Sequence, residues 1–448
     1  MRVLDSGHTL VGGSPLRILT LSERGAQLLT GWLAEEPVGD DEGERRLARR
    51  LLDASLADPD PPPAHGARAE PGVTIVVPVY ADPERLARCL APLADGSSVI
   101  VVDDGSPDGD AIENVAARFG VRYVRHPRNR GQAAARNTGL RAATTPLVAF
   151  IDADCVPPAG FPGSLVDHLA DPAVALVAPR ILSGTRGAGR IARYERVRSA
   201  LDMGRRPSLV RPYSPVWYVP SAAMVARRDA LADGFDEALS LGEDVDLVWR
   251  LHDAGWQVRY DPSITVAHED RVRPVAWYRR RIAYNESVAP LLERHPERVP
   301  VLFLSPVTAL AWGAALGGLT APVVALAGLR AARLRRSVAG RFPGAGAWAA
   351  RAAVEMTVYE ARDLGRALAG PWAPLGLLAG RRRAAALLAA MIALDWLADR
   401  PALDPLSYAA LRLADESTRG LGIWIGCARA RDFRGLLPRR PPPPSRRV

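Results

Sequence analysis

Between residues 73 and 177 the chain alternates short apolar runs with stretches in which apolar positions recur every three or four residues. The runs are Val73–Val79, Val99–Asp103, Val121–Val124, Leu147–Ile151 and Val174–Val177, and helical spacing covers Glu84–Ala94, Asp110–Phe119 and Gln132–Ala143. Near-continuous apolar runs of this length suit strands buried on both faces, with the helices as crossovers between them. The pattern predicts an α/β fold: a mixed, mainly parallel sheet of Rossmann-like type with helices on both faces. Ligands bind such sheets beyond the carboxyl ends of the strands. The residues that follow each run therefore carry the functional question.

The flanks read differently. A turn signal at Gly12–Pro15 is followed by a strand-like run over Leu16–Leu19. Two helical patterns come next, Glu23–Leu33 and Glu44–Leu56, the second with Leu47, Leu51, Leu52 and Leu56 on one face. Residues 1–57 thus form a small N-terminal domain, and the Pro/Ala-rich residues 58–72 a linker. The α/β domain is expected over 73–300, with an apolar helical region over 301–437 and a disordered Pro/Arg tail from Pro438.

Within that helical region, Val301–Leu329 carries no charge for 29 residues. A membrane span needs about 20 apolar residues, although Pro306, Pro322 and several glycines interrupt this one. Arg330–Arg336 would mark its cytoplasmic flank. Ala384–Leu394 is too short to span and stops at Asp395. One span, a hairpin with Ala367–Leu394, or a buried helical bundle all satisfy the pattern, so membrane contact is an expectation.

Composition adds limits. At 448 residues and 48% apolar, the chain exceeds one core and is not disordered. Its net charge of +9 comes from 58 basic and 49 acidic side chains, and no lysine is present. GC-rich coding explains an all-arginine count without any function; phosphate recognition or attraction to an anionic membrane is the alternative. No nucleic-acid partner is inferred. Cys89, Cys155 and Cys427 have neither disulfide nor zinc spacing and read as buried thiols in a reducing compartment. The N-terminus lacks the apolar core and cleavage site of a secretory signal, which places the reaction in the cytoplasm or at the cytoplasmic face of the cell membrane.

The chemistry-bearing residues cluster after the runs. Leu147–Ile151 leads into Asp152-Ala153-Asp154, two carboxylates that are costly at a buried strand end unless something positive meets them. A hard divalent cation bridging a diphosphate would do so, whereas the bland reading is a solvated loop start. Val99–Asp103 continues into Asp104-Gly105-Ser106, and the first run ends at Pro78-Val79-Tyr80. An acid there can accept a pyrimidine N–H while Tyr80 covers the ring, although Asp-Gly-Ser is also ordinary turn chemistry. Arg136, in Ala135-Arg136-Asn137-Thr138-Gly139, can offer positive potential to a phosphate or be a surface helix residue. Glu243-Asp244-Val245-Asp246 begins another helix, and Asp244 is either its N-cap or a general base for an acceptor hydroxyl. His268, after Ile264–Ala267, can complete a metal site or be a lone structural histidine.

Five motifs in order, Val-Pro-Val-Tyr (77–80), Val-Asp-Asp-Gly-Ser (102–106), Ala-Arg-Asn-Thr-Gly (135–139), Asp-Ala-Asp (152–154) and Gly-Glu-Asp-Val-Asp-Leu (242–247), resemble those of family 2 glycosyltransferases. The resemblance implies a GT-A-type fold and an inverting transfer from a nucleotide sugar, dependent on Mg²⁺ or Mn²⁺. Pro78, Tyr80, Asp103, Asp104, Arg136 and Asp152 would then hold the donor, and Asp152, Asp154 and His268 the metal. Asp244 would be the catalytic base beside Glu243.

A narrower resemblance runs through Leu-Val-Gly-Gly-Ser-Pro-Leu-Arg (10–17), Leu-Ser-Glu-Arg-Gly-Ala (21–26), Tyr-Val-Pro-Ser-Ala-Ala (218–223) and Gly-Trp-Gln-Val-Arg-Tyr-Asp-Pro (255–262). These are similar to the glycosyltransferases of the mycofactocin system. That likeness implies transfer of hexose, glucose from UDP-glucose, to a peptide-derived redox cofactor precursor. It also implies a winged-helix-like, peptide-recognising N-terminal domain.

Three other functions remain as alternatives. Transfer to a polyprenyl phosphate or polysaccharide fits the apolar C-terminal region, although the processive-synthase Gln-Xaa-Xaa-Arg-Trp is missing and Trp277-Tyr-Arg-Arg-Arg281 is only loosely similar. A non-catalytic sugar-nucleotide scaffold would have no need of Asp244. A dehydrogenase is disfavoured because no Gly-Xaa-Gly-Xaa-Xaa-Gly follows the first strand.

Overall fold

The computed structural model describes residues 2–440 apart from 15, 61–71, 94–97, 186, 299–301, 341, 343 and 379–380. Most of the expected linker, and the tail from 441, lie outside the described residues. The chain divides into two compact units, Met1–Ala57 together with Tyr278–Val448, and Asp58–Trp277.

In the N-terminal segment, strands β1 (Arg2–Leu4), β2 (Thr9–Gly12) and β3 (Arg17–Thr20) pair in sequence order as an antiparallel meander. Helices α1 (Glu23–Leu33) and α2 (Glu42–Asp53) follow. Each begins at a side-chain cap: Ser22 accepts from the Gly25 N–H and Asp41 from the Glu44 N–H. Leu10, Leu29, Leu51 and Leu56 close a small core. The strand expected at Leu16–Leu19 is β3. Strands β1 and β2 were not foreseen.

The second unit is the α/β layer. Its elements are β4 (Val73–Val79), α3 (Pro83–Leu90), β5 (Ser98–Asp103), α4 (Gly109–Arg118), β6 (Arg122–Arg125), α5 (Gln132–Ala142), β7 (Leu147–Ile151), β8 (Cys155–Val156), β9 (Val174–Ser183), α6 (Arg190–Arg198), β10 (Ser208–Val210), β11 (Ala223–Arg227), α7 (Glu243–Asp253) and β12 (Gln257–His268). The strands form one sheet in the order β10-β12-β9-β11-β7-β4-β5-β6, with β8 against β12. β7, β4, β5 and β6 are mutually parallel. β11 runs antiparallel to β7 and β9, so the sheet is mixed.

All five expected runs are strands. The fully buried positions of β4, β5, β7 and β9 account for their unbroken apolar sequence. Helix α5 lies close on the sheet because a Cβ at Gly139 would come within 2.2 Å of Val76.

From residue 274 the chain is helical: α8 (Pro274–Glu286), α9 (Val288–Arg294), α10 (Pro306–Gly317), α11 (Ala321–Val338), α12 (Ala345–Ala369), α13 (Ala373–Leu378), α14 (Arg381–Asp399) and α15 (Pro405–Ala430). The division between the units falls inside α8, at Trp277/Tyr278. Of the three readings of this region, the membrane span is not realised. The uncharged stretch is split, with α10 stopping at Gly317 and Pro322 opening α11, and no helix among the described residues is long and apolar enough to cross a membrane. Asp395, where the apolar segment Ala384–Leu394 stops, lies inside α14, buried, 3.2 Å from Arg412.

Candidate active site

Because β7, β4 and β5 are adjacent and parallel, their carboxyl ends lie side by side, about 5 Å apart from strand to strand. Asp152 and Asp154, Tyr80, and Asp103 with Asp104 therefore share one sheet edge. Pro78 is buried within β4 and Tyr80 is 52% exposed just beyond it.

Asp103 and Asp104 are buried and anchor the neighbouring loops. Asp103 accepts from the Ser106 N–H at 2.9 Å and from the Tyr123 hydroxyl at 2.8 Å. Asp104 accepts from the backbone N–H groups of Arg130 (2.9 Å) and Gly131 (2.7 Å) and pairs with His126 Nδ1 at 2.8 Å. A carboxylate has about four acceptor sites, so Asp104 keeps little capacity beyond these three. Gly105 permits the close loop crossing: at φ 72°, its Cβ would lie 2.4 Å from the Arg128 carbonyl carbon.

Arg136 ties the edge to the later acids. It is fully buried on α5, 2.6 Å from Asp152 Oδ1 and 2.8 Å from Glu243 Oε1, and its guanidinium stacks over the Phe235 ring. Its Nε has no partner among the described residues. Burial alone would depress the guanidinium pKa, but Asp152 and Glu243 raise it above the normal value. The side chain sequence reasoning aimed at a phosphate is thus committed to two carboxylates. Its neighbour Asn137 holds the following loop in both directions, donating to the Phe235 carbonyl and accepting from the Phe235 N–H, each at 2.8 Å.

Helix α7 starts after Gly242, and its first turn carries Glu243, Asp244 and Asp246, where the helix dipole favours negative charge. Gly242 is the N-cap, so the capping role considered for Asp244 does not apply. Asp244 instead accepts from the Ser221 N–H at 3.3 Å and the Val245 N–H at 2.8 Å. Burial, then the charge of Glu243, raise its pKa to about 7. Ser221 sits two residues before β11, whose pairing with β7 sets Ala223 against Ile151. That pairing delivers the head of α7 to the end of β7.

On the other side, β8 pairs with the end of β12, setting His268 opposite Cys155 and so beside Asp154. His268 Nε2 lies 3.6 Å from Asp154 Oδ2, and Nδ1 lies 3.0 Å from Asp270. Burial disfavours the charged imidazole, but Asp154 and Asp270 outweigh it and lift the pKa to about 10. Arg85 approaches Asp154 at 3.9 Å and Glu269 at 3.3 Å.

Among the described residues no three His, Cys, Asp or Glu form a ready metal cage. Asp154 and, once an ion displaces its proton, His268 nevertheless bring an oxygen and a nitrogen donor within reach of one ion. Magnesium-type sites commonly use one or two protein ligands and complete the shell with phosphate and water. A divalent cation fits on those terms, with Asp152 turned to Arg136.

Sequence reasoning missed His126, Ser221, Asn137, Phe235 and Arg85. Asn137 and Ser221 fell within the motifs quoted above and Phe235 in Gly234-Phe235-Asp236-Glu237 just before α7; His126 and Arg85 are joined to the site by the fold alone.

A family model for Glycosyl transferase family 2 matches residues 74–235. The chain is also 41% identical to the pre-mycofactocin glycosyltransferase of two Mycobacterium tuberculosis strains, over 98% of this chain and 96% of that protein. The chain belongs to glycosyltransferase family 2, a family of transferases with a GT-A-like α/β fold. More distantly, it is 27% identical to the glycosyltransferase AglE of Haloferax volcanii, over 45% of this chain and 68% of that one. A mannosyltransferase from Pyrobaculum calidifontis, solved with GDP-Man and Mn²⁺, aligns at 20% identity and a TM-score of 0.47, over 87% and 94% of the two chains.

Proposed function

We propose that this chain is an inverting hexosyltransferase that moves glucose from UDP-glucose to a peptide-derived redox cofactor precursor. The observation that carries this reading is similarity to the pre-mycofactocin glycosyltransferase along nearly the whole chain, including both flanking regions. The N-terminal meander and helix pair, winged-helix-like in this reading, would recognise the peptide part of the acceptor.

The donor lies along the strand ends, its base against Tyr80 and beside Asp104. Asp154 and His268 would hold the divalent cation, which when bound offsets charge on the leaving diphosphate. Asp244 takes the proton from the acceptor hydroxyl as that oxygen bonds to the anomeric carbon. The bond from that carbon to the diphosphate breaks on the opposite side, the nucleoside diphosphate departs and the configuration inverts. A base of pKa about 7 is matched to this task near neutral pH. The reaction belongs in the cytoplasm or at the cytoplasmic face of the membrane, where nucleotide sugars are available.

The test is a panel of UDP-glucose, other UDP-hexoses and GDP-mannose against the peptide-derived precursor and a polyprenyl phosphate, each with and without chelator. Metal-dependent consumption of UDP-glucose that requires the peptide-derived acceptor is the expected result. Preference for the lipid acceptor, or turnover unaffected by chelation, would overturn it.

A further inference from the structure

We propose that α10 and α11 form an interfacial anchor, lying in the headgroup plane of an anionic lipid bilayer without crossing it. This inference does not depend on the reading of the catalytic site.

Both helices turn apolar side chains outward. Val307 and Leu310 on α10, Leu319 in the turn, and Val324 and Leu329 on α11 are between 57% and 75% exposed. On α11 the outward residues Ala321, Val324, Ala325, Gly328 and Leu329 follow helical spacing and make one stripe. The hairpin is held from its other side. Thr308 and Ala311 are buried, and Trp312 and Leu316 pack into the helical core. Arg330 joins both helices to α12 through Thr308 (3.1 Å) and Glu360 (2.6 Å). The stripe is therefore not needed to hold the hairpin in place, and apolar exposure on this scale marks an interaction site.

Charge selects the partner. Between Glu297 and Glu355 the sequence has no acidic residue and seven arginines, in a chain that elsewhere mixes 49 acids with its bases. Arg333, Arg335 and Arg336 are exposed at one end of α11. At the opposite end, by the α10–α11 turn, Arg382 and Arg383 are exposed, and Arg383 donates to the Leu316 carbonyl at 3.2 Å. Arginine near both ends of the 18-residue α11, about 27 Å long, with the pair by the turn supplied by α14, keeps either end from entering hydrocarbon. That is the layout of a helix lying flat at the interface. A second copy would set like charges against each other, whereas anionic headgroups complement both collars.

Cosedimentation of the full chain with vesicles of phosphatidylcholine, alone or mixed with phosphatidylglycerol, tests this. Binding is expected on the mixed vesicles, weaker on phosphatidylcholine, and reduced by salt. Val324→Glu with Leu329→Glu should weaken it about tenfold or more. Replacing Arg333, Arg335 and Arg336 together by Gln should cost roughly 100-fold on anionic vesicles, about fivefold per charge. The circular dichroism spectra and thermal midpoints of these variants should match the parent, which controls for folding. Absence of vesicle binding, binding indifferent to both sets of substitutions, or a dimer dissolved by Val324→Glu/Leu329→Glu would each overturn the proposal.

Discussion

Two buried arginines in this chain make nearly the same contacts and lead to opposite chemistry. Arg136 in the α/β unit bridges Asp152 and Glu243, and Arg412 in the helical unit bridges Asp395 and Glu416. Around Arg412 the cations prevail. Burial would raise Glu416, but Arg366, Arg412 and Arg419 pull it down to about 2. Around Arg136 the acids prevail. One guanidinium serves Asp152 and Glu243 while Asp244 stands next to them, and burial with Glu243 drives Asp244 to about 7. A buried ion network is therefore not in itself a sign of function. What would mark the proposed site is an excess of carboxylate over cation at a strand edge.

The largest effect expected is at that excess acid. Asp244→Asn should lower sugar transfer by about 10²–10⁴ and leave donor affinity, read by titration calorimetry, close to the parent. A comparable loss of donor affinity would move Asp244 from base to binding residue.

Next come the two arginines. Arg136→Met strands the buried Asp152 and Glu243 and should cost about 3–5 kcal/mol in denaturant unfolding, whereas Arg412→Met leaves Glu416 with Arg366 and Arg419 and should cost less. At temperatures where both variants remain folded, only Arg136→Met should change the pH dependence of turnover. If Arg412→Met changes it equally, the contrast between the two networks fails.

Tyr80→Ala is expected to be milder. Loss of stacking on a base is worth about 1–3 kcal/mol, which should appear as a raised donor KM with little change in kcat. The smallest effect should come from Glu243→Gln. Since Glu243 raises Asp244, its neutralisation should shift the acid limb of the rate profile to lower pH. A shift upward would mean that the charge of Glu243 is not what governs Asp244.

The α/β unit was largely legible before any coordinates, because β4, β5 and β7 are buried on both faces and so read as unbroken apolar runs. Their positions in turn located Asp103, Asp104, Asp152 and Asp154. What a period cannot convey is which side chain meets which. Asp104 and Arg136 sit in recognisable motifs, yet their loop-anchoring and ion-pair partners lie 16 to 107 residues away in sequence. His268 reaches Asp154 only through the two-residue strand β8, too short to leave a pattern. In the helical region apolarity left three readings open, since a run free of charge looks alike whether it spans a bilayer or folds as two helices. The break at Gly317, Gly318 and Pro322 was present in the residues and outweighs the hydropathy.

The most direct measurement is the pH profile of kcat for the parent and Asp244→Asn, side by side with UDP-glucose and the peptide-derived acceptor. Below the folded-state pKa of about 7 the base is protonated and cannot accept the hydroxyl proton. The parent should therefore lose about tenfold per pH unit on the acid side, and the variant's residual rate should show no such limb. A parent rate flat from pH 5 to 8, or the same limb in both proteins, would contradict the assignment of Asp244.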